Sequence, residues 1–149
     1  MKKLLTLILT LGFQNTLLAQ NSDFPTFRNE ALANQVEIKN TEYKLLVYGG
    51  ANCGFCHYLI KNLHVLDSCK QVQNYVLLGD SMEAVKKDWA GYVEKYPFYS
   101  NQILQHRFKK DNDISPLTFL FKGDEQVLYY KGLKKNMLQK IKTEIGCAK

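Results

Sequence analysis

The sequence lacks the features that several functional classes require. It has only four cysteines in 149 residues, too few for a miniprotein stapled by disulfides, so a hydrophobic core must hold the domain. A second CxxC is missing. Cys69 and Cys147 are distant singles, and the histidines His57, His64 and His106 are scattered, so the donor set of a four-ligand zinc site is absent. There is no internal repeat and no low-complexity linker. No stretch is long enough to cross a bilayer. The longest apolar segment, Leu4 to Leu18, has about 15 residues against the roughly 18 to 20 needed, and Gln14-Asn15 interrupts it. Nor are the lysines blocked together. Lys86-Lys87, Lys109-Lys110 and Lys134-Lys135 sit among acidic or polar neighbours, so the formal charge of +6 reads as solvated faces, with no nucleic-acid patch.

What is present at the N-terminus has a recognisable layout. Lys2-Lys3, an apolar stretch and the small Ala19 form the three parts of a secretory signal peptide. Residues 1–19 are expected to be that signal, cleaved after Ala19, and residues 20–149 a single domain. Removing 19 of 149 residues leaves 130, which suits one compact domain. Losing Lys2 and Lys3 takes the charge from +6 to +4. No cysteine directly follows the cut, so neither a lipid anchor nor a stable membrane anchor is expected. Export permits disulfides.

Further along, short apolar runs alternate with helical patterns. Gln35 to Ile38 alternates as a short edge strand. Leu45-Leu46-Val47-Tyr48 reads as a buried strand ending at Gly49-Gly50. A helix follows from about Cys53 to Ser68, with Leu59, Ile60, Leu63 and Leu66 on one face. Tyr75 to Leu78 is a second apolar strand. Asp80 is placed to cap the next helix, with Glu83 as its box partner. Val85, Trp89, Tyr92, Val93 and Tyr96 mark that helix's inner face, and Pro97 stops it. Asn101 to Phe108 has helical spacing. Leu117–Phe121 and Val127–Tyr130 are strands joined by a hairpin around Gly123-Asp124. A last helix runs from about Lys134 to Ile145, closed by Gly146. One sheet covered by helices on both faces is the natural solution.

The chemistry concentrates in "YGGANCGFCHYLI". Cys53-Gly54-Phe55-Cys56 follows a buried strand and opens a helix. There the unpaired N–H groups and the positive end of the dipole favour thiolate over thiol. The two-residue spacer lets Cys56 attack a mixed disulfide formed at Cys53. A stapling disulfide across so short a loop constrains the unfolded chain little, which favours a reactive role. Two other readings compete. With His57 the letters spell CxxCH, a covalent haem site in which Met82 or Met137 would supply the second axial ligand. Thiolates also suit Cu(I). His57 otherwise modulates the thiolate or is merely exposed. Trp89, Tyr96, Phe98 and Tyr99 are candidates to line a substrate groove, with core packing the expected job of Trp89.

These residues resemble the thioredoxin superfamily over nearly all of the expected mature chain. "KLLVYGG" leading into "CGFC" matches the family's active-site strand and helix. "DISPLTFLFKGDEQVLYYKGL", whose proline lies 60 residues after Cys56 (116 − 56), is similar to its cis-proline segment, hairpin and following glycine. The extra length between Ser81 and Asp113 is similar to the helical insertion of exported, TlpA-like thiol-disulfide proteins. CGFCH is similar to the active site of bacterial periplasmic disulfide isomerases, although the short region before Lys44 leaves no room for their dimerisation domain. The resemblance implies an α/β thioredoxin fold, with a mixed central sheet, helices on both faces and a helical insertion before the cis-proline strand. Pro116 would be the cis-proline, with Ser115 and His57 in supporting positions. Three positions depart from the pattern. Asn52 replaces the tryptophan before the first cysteine, Val47 replaces the buried acid, and Leu117 replaces the threonine after the cis-proline.

The expected function is therefore an exported thiol-disulfide oxidoreductase, periplasmic or extracellular. It would exchange disulfides with protein substrates and a redox partner protein, needing no cofactor and no metal, as a monomer. A redox-inert or copper-handling thioredoxin-like module is the alternative, and c-type haem binding a third. In the fold so inferred, the helix after CxxC and the final helix run parallel on one sheet face. Cys69 and Cys147 lie just past their ends and are expected to form a structural disulfide.

Overall fold

The computed structural model describes residues 31–32, 39–50, 52–100 and 115–147. The expected signal segment 1–19, the edge strand expected at Gln35–Ile38 and the helix expected at Asn101–Phe108 lie outside these residues. In chain order the elements are β1 (Ala31–Leu32), β2 (Tyr43–Gly49), α1 (Gly54–Asn62) with a 3₁₀ turn (Leu63–Leu66), β3 (Val72–Leu78), α2 (Met82–Asp88), β4 (Phe98–Ser100), β5 (Leu117–Lys122), β6 (Glu125–Lys131) and α3 (Met137–Glu144).

The strands form one sheet in the order β1-β4-β3-β2-β5-β6. β2 pairs parallel with β3 on one side and antiparallel with β5 on the other. Val47 thus lies between Val76 and Thr118, at the centre of the sheet. β5 and β6 are the expected hairpin, closed by Gly123-Asp124 alone, and the register shifts between Leu120 and Phe121.

Strand periodicity sorts the β2 side chains to two faces. Leu45 and Val47 join Leu59, Ile60 and Leu63 of the first helical segment, Trp89, and Met137 and Ile141 of α3 in one core. Leu46 and Tyr48 join Tyr75, Leu77, Tyr99, Leu117, Phe119 and Phe121 in a second core on the other face. All three described helices contribute to the first core, so helical cover of the second face is not among the described residues.

Several boundaries differ from the sequence reading. Asp80 does not cap α2. Ser81 does, with extended φ/ψ of −64°/155° and its Oγ accepting from the Ala84 N–H at 3.2 Å. A serine directly before the first helical residue reaches the third N–H, which a side chain one position earlier cannot. The helix also ends at Asp88, well before Pro97. Trp89 leaves helical geometry at φ −119°, burying its indole completely, and successive turns run to Lys95. Tertiary burial of the largest side chain wins over continued helix here. β4 was not expected: Phe98 to Ser100 is three residues long, and a period cannot be read from so few. α3 starts at Met137 instead of Lys134 because Asn136 is left-handed, φ 58°, a conformation no helix interior accommodates.

The distal end of the domain is closed covalently. Gly146, at φ 69°, turns the chain out of α3 at little steric cost, and the Cys147 N–H donates to the Lys142 carbonyl at 2.9 Å. Cys147 is disulfide-bonded to Cys69, with 5.8 Å between their Cα atoms, and Cys69 belongs to the first core.

Candidate active site

The site sits where β2 and β3 end and α1 begins. This edge of parallel strands is where open α/β sheets place ligands, because each strand's connection leaves a crevice there. Cys53 is the N-cap of α1, with φ −93° and ψ 103°. Its Sγ accepts from the Cys56 N–H at 3.1 Å, and its carbonyl accepts from the His57 N–H at 3.0 Å. The sulfur therefore occupies the place of a capping oxygen, among otherwise unpartnered helix donors. No acidic residue lies in the first turn of α1 to offset the positive end of the dipole.

The two cysteines are disulfide-bonded, with Cα atoms 5.2 Å apart, and they are not equivalent. Cys53 is half-buried, whereas Cys56 is wholly buried. Cys56 packs against the backbone of Gly49: a Cβ built there would lie 2.5 Å from the Cys56 sulfur. Only a residue without a side chain fits beneath this sulfur. One sulfur is thus presented to solvent and the other held behind it.

The chain returns to this pair 60 residues later. The Ser115–Pro116 peptide is cis, and the Ser115 hydroxyl donates to Cys53 Sγ at 3.6 Å. The Pro116 carbonyl accepts from the Gly132 N–H at 2.8 Å, which ties the end of β6 to the proline segment. Gly132 has φ 71°, a turn that a β-carbon would resist. The sequence-expected set Cys53, Cys56, Ser115 and Pro116 is therefore assembled in one place.

His57 faces elsewhere. Half-buried, it stacks on the indole of Trp89, with ring centroids 3.9 Å apart and planes within 9°. Trp89 is core, as expected. The proposed groove of Tyr96, Phe98 and Tyr99 is not one: all three are buried, and the Tyr96 hydroxyl donates to Asp67 Oδ1 at 3.2 Å. Burial, the Asp67 charge and that hydrogen bond push the Tyr96 phenol well above its ordinary range. Met137 is buried in the first core and Met82 packs against it. His64 is exposed, with Nδ1 2.8 Å from the Lys61 carbonyl. His106 lies outside the described residues.

Two features were missed from sequence. Asp80, read as a helix cap, lines a cleft of about 750 Å³ together with Cys53 and Ser115. Its Oδ2 would lie 3.6 Å from a Cβ on Gly50, and its charge acts with burial to raise the Tyr48 phenol. Position directly after the strand beside β2 was the available signal. Phe55 and Tyr58 are exposed aromatics on the first turns of α1, at 64% and 59% exposure, so the dithiol is rimmed by apolar surface. Val47, where the sequence resemblance would put a buried acid, is fully buried in the first core, so that position supplies no proton acceptor. Among the described residues no group of three or more His, Cys, Asp or Glu is placed to hold a metal ion, and no helix is long and apolar enough to cross a membrane.

Neither a family model nor a curated protein matches the chain by sequence. Solved structures do match by shape. A thioredoxin-like protein in its oxidised form superposes with TM-score 0.62 at 14% identity, covering 82% of this chain and 92% of that one. A putative thiol:disulfide interchange protein DsbE from Chlorobium tepidum gives TM-score 0.58 at 16% identity, over 70% and 81%. A secreted disulfide oxidoreductase of Mycobacterium tuberculosis, homologous to E. coli DsbE, gives 0.56 at 12% identity, over 70% and 81%. The fold is thioredoxin-like, and it is the fold of known thiol-disulfide oxidoreductases.

Proposed function

We propose that the protein is an exported thiol-disulfide oxidoreductase acting on protein substrates through Cys53 and Cys56. One observation carries this reading: an accessible sulfur caps a helix, with a second sulfur buried directly behind it. In the reducing direction, the Cys53 thiolate attacks one sulfur of a substrate disulfide and the other sulfur leaves as thiolate. Cys56, as thiolate, then attacks Cys53 Sγ and the second substrate sulfur leaves. The substrate gains two electrons and the Cys53–Cys56 disulfide forms. The reverse sequence oxidises a substrate dithiol. Helix N–H groups stabilise the Cys53 thiolate as attacking or leaving group. The Ser115 hydroxyl donates to the same sulfur, and the cis-proline segment offers backbone beside it. With Val47 at the expected acid position, Cys56 gives its proton to water, to the substrate or to another group.

The working setting follows from the N-terminal sequence. A cleaved 1–19 segment would deliver a soluble monomer to a periplasmic or extracellular space, where a redox partner protein resets the dithiol. The test is insulin reduction with dithiothreitol. Mature protein accelerates it and Cys53→Ser abolishes the acceleration. Cys56→Ser accumulates mixed disulfides through Cys53 in a pool of exported proteins. Full activity in Cys53→Ser overturns the assignment, and an absence of adducts in Cys56→Ser removes Cys56 as the resolving residue.

A further inference from the structure

We infer that the cleft beside Cys53 selects extended polypeptide segments whose cysteine is flanked by carboxylates. The inference rests on the oxidoreductase reading and deepens it by naming the substrate's chemistry. The cleft runs from Asp80, after β3, past Cys53 and Ser115 to Lys131, the last residue of β6, and Lys134, in the loop between β6 and α3. Phe55 forms an apolar wall beside the sulfur. Among the described lining residues, two lysines and one aspartate carry charge, and the strand order β3-β2-β5-β6 puts Asp80 on one side of Cys53 and Lys131 and Lys134 on the other.

The fold holds those cations there. The Gly132 N–H bond to the Pro116 carbonyl fixes the Lys131–Lys134 loop against the proline segment, whose Ser115 hydroxyl is 3.6 Å from Cys53 Sγ. Lys134 is exposed and Lys131 half-exposed, so both are in contact with arriving solute. The first turns of α1 and α3 contain no acidic residue, and each helix turns its positive end toward this region. A substrate cysteine with Asp or Glu on its Lys131–Lys134 side meets opposite charge, while one flanked by lysine meets like charge. Exposed charges of this kind act mainly on the association rate and fade with salt. Asp80 on the far wall gives the selection a direction along the bound segment.

The experiment uses three heptapeptides, each with one cysteine as its thionitrobenzoate mixed disulfide, flanked by glutamates, serines or lysines. Reduced protein in excess attacks the peptide sulfur and releases thionitrobenzoate, read by absorbance in stopped flow. Each rate is divided by that with dithiothreitol, which removes the peptides' own reactivity. The glutamate peptide is expected to react about fivefold faster than the lysine peptide at roughly 20 mM salt, narrowing to about twofold or less at roughly 0.5 M. Lys131→Glu/Lys134→Glu inverts the order. Lys70→Glu, near Cys69 at the opposite end, makes a charge change of the same kind and leaves the order intact. Equal corrected rates at low salt overturn the selection while leaving the oxidoreductase reading standing. A shift in Lys70→Glu half as large as that in Lys131→Glu/Lys134→Glu, or larger, overturns it too, because the shift per charge is then the same at either end and net charge explains the preference. No reaction with any peptide overturns both readings.

Discussion

Gly49→Ala tests the architecture behind the buried sulfur. The new Cβ would lie 2.5 Å from Cys56 Sγ and 3.1 Å from Cys56 Cβ, and neither neighbour is the free end of a flexible chain. In the oxidised protein the sulfur is held by its bond to Cys53, so the end of β2 or the start of α1 must move. Overpacking of this kind costs about 1–3 kcal/mol. In the reduced protein the Cys56 sulfur is free to rotate away, and only the milder contact with its Cβ remains. The oxidised form is therefore destabilised more, by about 1–2 kcal/mol. A destabilised disulfide is more readily reduced. At about 30 mV per 1.4 kcal/mol the reduction potential rises by roughly 20–45 mV. The assay equilibrates wild type and variant in glutathione buffers and quantifies Cys53–Cys56 oxidation by alkylation and peptide mass. Gly91→Ala is the control: a Cβ there meets nothing within 4 Å, and stability should change by no more than about 0.5 kcal/mol. A Gly49→Ala potential within about 10 mV of wild type, which is under 0.5 kcal/mol, would refute the close-packed sulfur.

Two further perturbations probe the distal end. The Cys69–Cys147 bridge spans 78 residues where the Cys53–Cys56 bridge spans three. On loop-closure entropy, the long bridge stabilises the fold by about 3 kcal/mol more than the short one. Urea unfolding of Cys69→Ala/Cys147→Ala under non-reducing conditions should show a loss of about 2–4 kcal/mol, and a loss below about 1 kcal/mol would mean the bridge is not a staple. Tyr96 has a phenol raised above its ordinary value of 10.0 in the folded state by burial and Asp67. Its contribution is fully present below that ordinary value and is lost as pH rises from there toward the folded pKa, because only the unfolded chain then releases the proton. Unfolding measured between about pH 8 and 11 should show stability falling at the alkaline end, and the fall should be shallower in Tyr96→Phe. An equal slope in the two proteins would show that Tyr96 is not the group responsible.

Local patterns in the sequence determined much of this protein. Leu45 to Tyr48 and Tyr75 to Leu78 read as buried strands because apolar, β-favouring runs end at Gly-rich or Gly-Asp turns. Cys53 to Cys56 read as a helix opening because it follows such a strand and precedes an apolar stripe at helical spacing. Gly123-Asp124 read as a hairpin. These signals survive because each depends on neighbours within a turn or two of chain. Element ends were less legible. Ser81, not Asp80, caps α2, and Trp89 breaks its helix, because hydrogen-bond geometry and core burial decide at single-residue resolution. Tertiary structure alone decided the rest. Three strand ends and a loop converge to bring Asp80, Ser115, Lys131 and Lys134 around one sulfur. The packing of α1 against the segment after α2 sets His57 on Trp89. The chain's second passage through the sheet sets Val47 between Val76 and Thr118, and the absence of a side chain at Gly49 leaves room for Cys56. Such contacts join residues tens of positions apart, whose meeting is fixed by strand order and register and by no periodicity a sequence carries.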